Sequence, residues 1–279
     1  MCYNTIEYVG KADYMIVDFH THIFPDKIAA QTVSALAEKG NTKPYGKATL
    51  DDIRNTMKNS GVDYSVILPV ATSPKQVASI NRMAAEINGT DGIIYAGAIH
   101  PQCEYIEEIL DGIKQNGLSV IKIHPDYQGE RFDSPAYIRI MAEAAKRGIV
   151  TVTHAGVDIG YPDDVHCSPD MVLNVLDELK GIIDDKLVLA HMGGCDLPDE
   201  VLEKLIGKPV YFDTSFVLDR YEEKCREIIM KHGFDRILLA TDYPWSDVKK
   251  FVEIIKGFGF TEEENEKIFY KNALKLIKG

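Results

Sequence analysis

The stretch VDFHTHIFP, residues 17–25, ends an apolar run with two histidines, His20 and His22, separated by one threonine. Side chains of an extended chain alternate between faces, so residues two apart point the same way and both imidazoles can meet one ion. Read alone, such a pair also fits two histidines that fall close together with no ion between them. The other histidines decide between these readings. Of the eight in the chain, His100, His124, His154 and His191 also close short apolar runs. His166 lies in the loop after one of those runs, and only His232 precedes one. Imidazole is the commonest ligand of zinc and its relatives, so six histidines at equivalent positions indicate a metal centre. An oxygen ligand should complete it, and Asp242 in LLATDYPW follows the last apolar run. Alone, an Asp at such a place also reads as a turn or helix cap. Opposite His20 and His22, with acids otherwise sparse at the ends of the runs, it reads as a ligand able to take a proton from metal-bound water.

Something must hold these groups in register. Eight β-branched or apolar runs recur at 14–19, 64–70, 92–99, 118–123, 149–153, 187–190, 210–214 and 236–240. Helical segments lie between them: SPKQVASINRMAAEINGT places Ser73 as a cap before Pro74 and stops near Gly89, and DSPAYIRIMAEAAKRG runs from Ser134 and Pro135 to Gly148. The runs are almost continuously apolar, as a parallel sheet covered by helices requires. Eight strand–helix units in one chain of this length predict a closed (β/α)8 TIM barrel, a single α/β domain over residues 1–279. The rival, an open doubly wound sheet, would advertise a Gly-rich phosphate turn after the first strand, and FHTHIFP has none. In a barrel, strand ends with their following loops build the active site, and the six histidines fall there. Segments 39–50 and 155–169 read as insertions.

The composition, 45% hydrophobic and 27% charged, is that of an ordinary globular protein. Its formal charge of −12, from 31 basic and 43 acidic side chains, disfavours nucleic acid and acidic membrane surfaces as partners. The amino terminus lacks the pattern of a signal peptide, and no segment has the length of a membrane span, which predicts a cytoplasmic protein. Five scattered cysteines, Cys2, Cys103, Cys167, Cys195 and Cys225, form no Cys-x-x-Cys pair. Any metal must therefore come to nitrogen and oxygen ligands.

With DFHTHIFP, IKIHP, TVTHAG, LVLAHMGG and ILLATDYPW in this order, the chain resembles the amidohydrolase superfamily. It is most similar to the amidohydrolase-related branch of metal-dependent hydrolases and non-oxidative decarboxylases, from about residue 14 to the KNALKLI helix. The resemblance implies His20, His22, His154 and Asp242 as ligands of one divalent ion. Zinc suits the set best, with manganese, iron or cobalt compatible. It implies His191 beside the metal-bound water or substrate. A second metal, which the resemblance makes the lesser expectation, would involve His191 with Lys122 or His124, and Lys122 shares a strand face with His124. The resemblance also leans toward a homodimer.

A zinc held in this way lowers the pKa of bound water and polarises a substrate oxygen. With Asp242 and His191 as acid–base groups, the expected reaction is hydrolysis of an amide, lactone or ester in a small carboxylate-bearing molecule. The same cage also serves a decarboxylase of an aromatic or unsaturated acid. More distant alternatives are a phosphoesterase that likewise begins with His-x-His, and a barrel that keeps metal without catalysis. For substrate contacts the loops offer His100, Arg131, Tyr161, His166 and Trp245. Arg131 is the expected carboxylate fork, although it fits a surface ion pair equally well. Segment 155–169 reads as a lid. Cys167 and Cys195 read as spectators.

Overall fold

The computed structural model describes residues 15–278. Tyr14 of the first run, Cys2 and most of the amino-terminal stretch lie outside the described residues. The strands are β1 (Val17–Thr21), β2 (Tyr64–Ile67), β3 (Ile93–Tyr95), β4 (Gly97–Ala98), β5 (Val120–Ile123), β6 (Val150–Thr153), β7 (Leu187–Leu189), β8 (Tyr211–Asp213) and β9 (Ile237–Leu238). Every pairing between them is parallel.

Nine strands make eight staves, because β3 and β4 are two halves of the single run 92–99, interrupted at Ala96. The first half pairs with β2 and the second with β5. Gly97 begins the second half where the helix Ile106–Gln115 presses closest: a Cβ there would lie 2.7 Å from Ile113 Cδ1. The barrel closes between β1 and β9, where Phe19 N–H donates to Leu239 O at 2.9 Å and Thr21 bridges Tyr243. The chain is thus a (β/α)8 barrel.

The expected helix boundaries recur with their caps. Pro74–Ile87 starts after Ser73 in a reciprocal capping box with Gln76, and Pro135–Lys146 starts after Ser134, whose hydroxyl accepts from Tyr137 N–H. One buried cluster draws on every stave, through Val17, Val66, Ala96, Val120, Val152, Val188, Tyr211 and Leu238. A larger one joins strand residues to the surrounding helices. Covered in this way, the short strands leave their C-terminal ends and the loops beyond them to carry the polar groups. No helix among the described residues is long and apolar enough to cross a membrane.

Candidate metal centre

At the C-terminal ends of the strands lies a cavity of about 480 Å3. His20, His22, Lys122, His124, His154, His191 and Asp242 all line it, and Phe24, Leu36, Leu68, Met83, Phe216 and Trp245 are among its apolar wall residues.

His20, on β1, gives its Nδ1 proton to Asp213 Oδ2 at 2.8 Å, and its Nε2 stands 3.5 Å from Asp242 Oδ1. His22 gives its Nδ1 proton to the carbonyl of Leu68 at 2.8 Å, and its Nε2 stands 3.0 Å from the same Asp242 oxygen. A carbonyl only accepts, so neutral His22 must present an Nε2 lone pair, and Asp213 imposes the same tautomer on His20. Two imidazole lone pairs and a carboxylate oxygen therefore converge, with ligand atoms all within 4.8 Å of one another. This donor set fits a divalent cation, and each histidine is oriented through its other nitrogen, as metal-binding histidines are. Burial, together with the nearby Lys122, pushes His20 down to about 4, which keeps it neutral and able to ligate. Burial pushes Asp242 up, but His22 and His20 outweigh it and hold the carboxyl below its ordinary range.

Backbone strain marks the same place. Asp242 (φ 66°), His191 (φ 58°) and Phe216 (φ 63°) occupy the left-handed region that non-glycine residues avoid, at a cost of about 1–3 kcal/mol each. Hydrogen bonds hold them there: Asp242 N–H donates to His20 O at 2.8 Å, and His191 N–H to Asp213 Oδ1 at 3.0 Å. Asp213 also accepts from Ser215 N–H at 3.1 Å and Ser215 Oγ at 2.5 Å. Burial raises its pKa, but His20 and these donors more than compensate and keep it ionised.

His154 and His191 meet, with His191 Nε2 3.0 Å from His154 Nδ1 and His191 Nδ1 3.1 Å from Ser215 O. His154 also stacks on His124, the rings 4.4 Å apart and 10° from parallel. The ligand atoms that gather with those of His154 are on His124 and Asp158, a second group beside the first. Lys122 Nζ reaches to 3.3 Å from His20 Nε2, and burial pushes the amine down to about 8.

The proposed substrate contacts divide. Trp245 lines the central cavity. His100, Tyr161 and His166 line a neighbouring side pocket of about 540 Å3. His100 is buried and accepts from Gln102 N–H, so it locks the loop that begins at Pro101. His166 lies between Asp164 and the carbonyl of Pro125. Arg131 lines neither space; its side chain is 58% exposed and 3.9 Å from Asp133. Burial raises the thiol pKa of Cys167 and Cys195, which gives neither the character of a nucleophile. The expectation of few acids near the strand ends is corrected: Asp213 ends β8, and Asp126 and Asp158 follow β5 and β6 in the adjoining turns. Asp213 is the functional residue that sequence reasoning missed, although its place at the end of the run 210–214 matches that of the histidines on other runs.

A family model described as amidohydrolase matches residues 17–278. The chain belongs to the amidohydrolase family. It is accordingly a metal-dependent enzyme, a hydrolase or a carboxy-lyase. No curated protein matches the sequence. Among solved structures, 2,6-dihydroxybenzoate decarboxylase from Rhizobium is similar at TM-score 0.72 and 16% identity, over 95% of this chain and 99% of that one. The 5-carboxyvanillate decarboxylase of Sphingomonas paucimobilis gives 0.69 and 14%, over 95% and 99%. That of Novosphingobium aromaticivorans, solved with manganese and 4-hydroxy-3-methoxy-5-nitrobenzoic acid, gives 0.70 and 17% over 100% of both chains. At these identities the amidohydrolase barrel shares its fold with them.

Proposed function

We propose that this amidohydrolase is a carboxy-lyase that removes carbon dioxide from a small, flat, mostly apolar carboxylic acid. One observation carries the reading. The candidate metal-ligating groups stand together with Lys122 in a cavity whose other walls are mostly aromatic and aliphatic, with Thr32, Thr42, Thr72, Gln76 and Ser79 as polar exceptions, and among the described residues no other lysine and no arginine lines it. An acid with a single anionic end and an apolar body fits that division. The decarboxylases of similar fold, whose names give benzoate and vanillate substrates, support it.

His20, His22 and Asp242 would hold the ion, and a divalent cation bound there would supply Lewis-acid polarisation of the substrate's oxygens. Lys122 adds positive charge beside His20. The apolar walls exclude water from the carbon that loses carbon dioxide. His191, whose Nδ1–H is held by the Ser215 carbonyl, would act in its doubly protonated form and deliver from Nε2 the proton that takes the departing group's place. The electron pair of the broken carbon–carbon bond stays on that carbon and receives this proton, so the step balances.

Hydrolysis is the second reading, and one observation favours it: Asp242 is held ionised beside His20 and His22, where it would serve as base toward a water molecule. The discriminating experiment incubates protein reconstituted with zinc or manganese with hydroxybenzoic acids and, separately, with N-acyl compounds and lactones. Labelled bicarbonate from a carboxyl-labelled acid supports the first reading. Amine or alcohol release without bicarbonate replaces it with the second.

A further inference from the structure

The central cavity is larger than a single-ring acid needs. An apolar cavity of about 150 Å3 holds a benzene ring, and this one, at about 480 Å3, is roughly three times that size. Its lining is also sorted by charge. The imidazoles, the carboxylates of Asp158 and Asp242 and the amine of Lys122 all stand at strand ends or in the loops directly after them. A further wall comes from two helices, Asp26–Lys39 and Pro74–Ile87.

Each helix turns one stripe toward the cavity. Ile28, Thr32 and Leu36 recur at every fourth position of the first, and Gln76, Ser79, Ile80 and Met83 follow the i, i+3, i+4, i+7 pattern on the second. The residues that these helices bury are different ones, Ala29 and Val33 on the first, Val77 and Ala84 on the second. The stripes are therefore not the faces that hold the helices to the barrel. Neither stripe carries a charge, and Lys27, Glu38, Lys75, Arg82 and Glu86 of the same helices all stay out of the lining. A helix face left to water ordinarily carries such residues. Ile28 lines the cavity and is still 48% exposed, so the stripes reach the rim.

We propose that the acid bound here carries an apolar arm, a second ring or an alkyl chain, that runs from the strand ends to the two helix stripes, and that Thr32, Leu36, Ser79 and Met83 set the length of arm accepted. This rests on the reading that the ligand is an acid with its carboxylate toward the metal centre, and not on which bond the enzyme breaks. Removing the arm from water drives binding, at about fourfold in affinity for each methylene buried. A second carboxylate at the far end of the arm would meet only apolar side chains, hydroxyls and an amide, with no cation beside it. Leaving water for such surroundings is costly for a charge, so the site selects monocarboxylic acids.

The test titrates full-length protein reloaded with zinc against benzoate, 4-propylbenzoate, 4-hexylbenzoate and 4-(5-carboxypentyl)benzoate, with binding read by calorimetry. Hexylbenzoate should bind at least about 100-fold more tightly than benzoate, and the carboxypentyl acid should fall back to within about fivefold of benzoate. Thr32→Trp and Ser79→Trp place a large side chain where the arm would lie. Each should lower the ratio of hexylbenzoate to benzoate affinity by at least about tenfold. A flat series in the wild type, no binding by any member, or a ratio unaltered in both variants overturns the proposal. The wild-type series decides the matter even if a variant fails to fold. A steep series without bicarbonate release from any acid removes the carboxy-lyase reading and keeps the arm, and bicarbonate release with a flat series does the reverse.

Discussion

Asp213 Oδ2 accepts the Nδ1 proton of His20 at 2.8 Å, and the two side chains are 0% and 1% exposed. The other oxygen of Asp213 takes the backbone N–H of His191. One carboxylate thus sets the tautomer of a proposed metal ligand and holds the strained backbone of His191, the proposed proton donor.

Replacing Asp213 with Asn keeps the shape and removes the charge. Metal affinity should fall about 10–100-fold, the usual cost of losing such a partner. Competition with a chromogenic chelator measures it, and unchanged affinity would refute the role given to Asp213.

Substituting His22 with Asn, or Asp242 with Asn, removes a proposed ligand outright. Turnover should fall below about one thousandth of wild type, with the far-ultraviolet circular dichroism spectrum unaltered. A variant that keeps most of its activity would remove that side chain from the ligand set.

Binding of metal to the folded chain alone must stabilise it. At an ion concentration about 100 times the dissociation constant the gain is about 2.7 kcal/mol, which should raise the melting temperature by about 5–10 °C over chelator-treated protein. Differential scanning calorimetry would show it, and equal midpoints would argue against an ion in the native state.

His232 gives a pH effect remote from the site. Its Nε2–H donates to Val210 O and its Nδ1 accepts from Gly207 N–H, so a second proton would face a donor. Burial lowers its pKa from the ordinary 6.5. The unfolded chain therefore binds more protons below that value, and this contribution to stability, complete above pH 6.5, is lost as pH falls toward the folded pKa. Urea midpoints at pH 7.5 and 5 should differ less in His232→Gln than in wild type.

Gly156 (φ +86°) pairs with both Cys167 and Cys195, and a Cβ there would lie 2.1 Å from Cys195 N. Gly156→Ala should cost more than about 2 kcal/mol and displace Asp158 two residues on. Thermal melting checks the first effect, and the measured turnover number the second.

How much of this the sequence displayed follows from where each signal resides. The staves are legible because a strand covered by helices must be apolar throughout, and the break at Ala96 is not, since it is a change of pairing partner from β2 to β5 within one continuous apolar run. His20, His22 and Asp242 announce themselves by type and by position at strand ends. Asp213 lacks such a cue, because one acid ending an apolar run has many roles until its partner, 193 residues away, is known. Arg131 shows the opposite case, a side chain chosen for its chemistry that the turn after β5 carries to the surface. The grouping of His154 with His124 depends on the ring orientations of two neighbouring staves, which no periodicity encodes.

The seam that closes the barrel is also where the proposed ligands from β1 and from the loop after β9 meet, with Asp242 N–H bound to His20 O. These residues are more than two hundred positions apart in the chain. A growing polypeptide still on the ribosome, with its last stave inside the exit tunnel, therefore lacks Asp242 and cannot complete the group formed with His20 and His22. Loading belongs to the finished molecule, and truncation before that stave yields a product unable to be rescued by added metal.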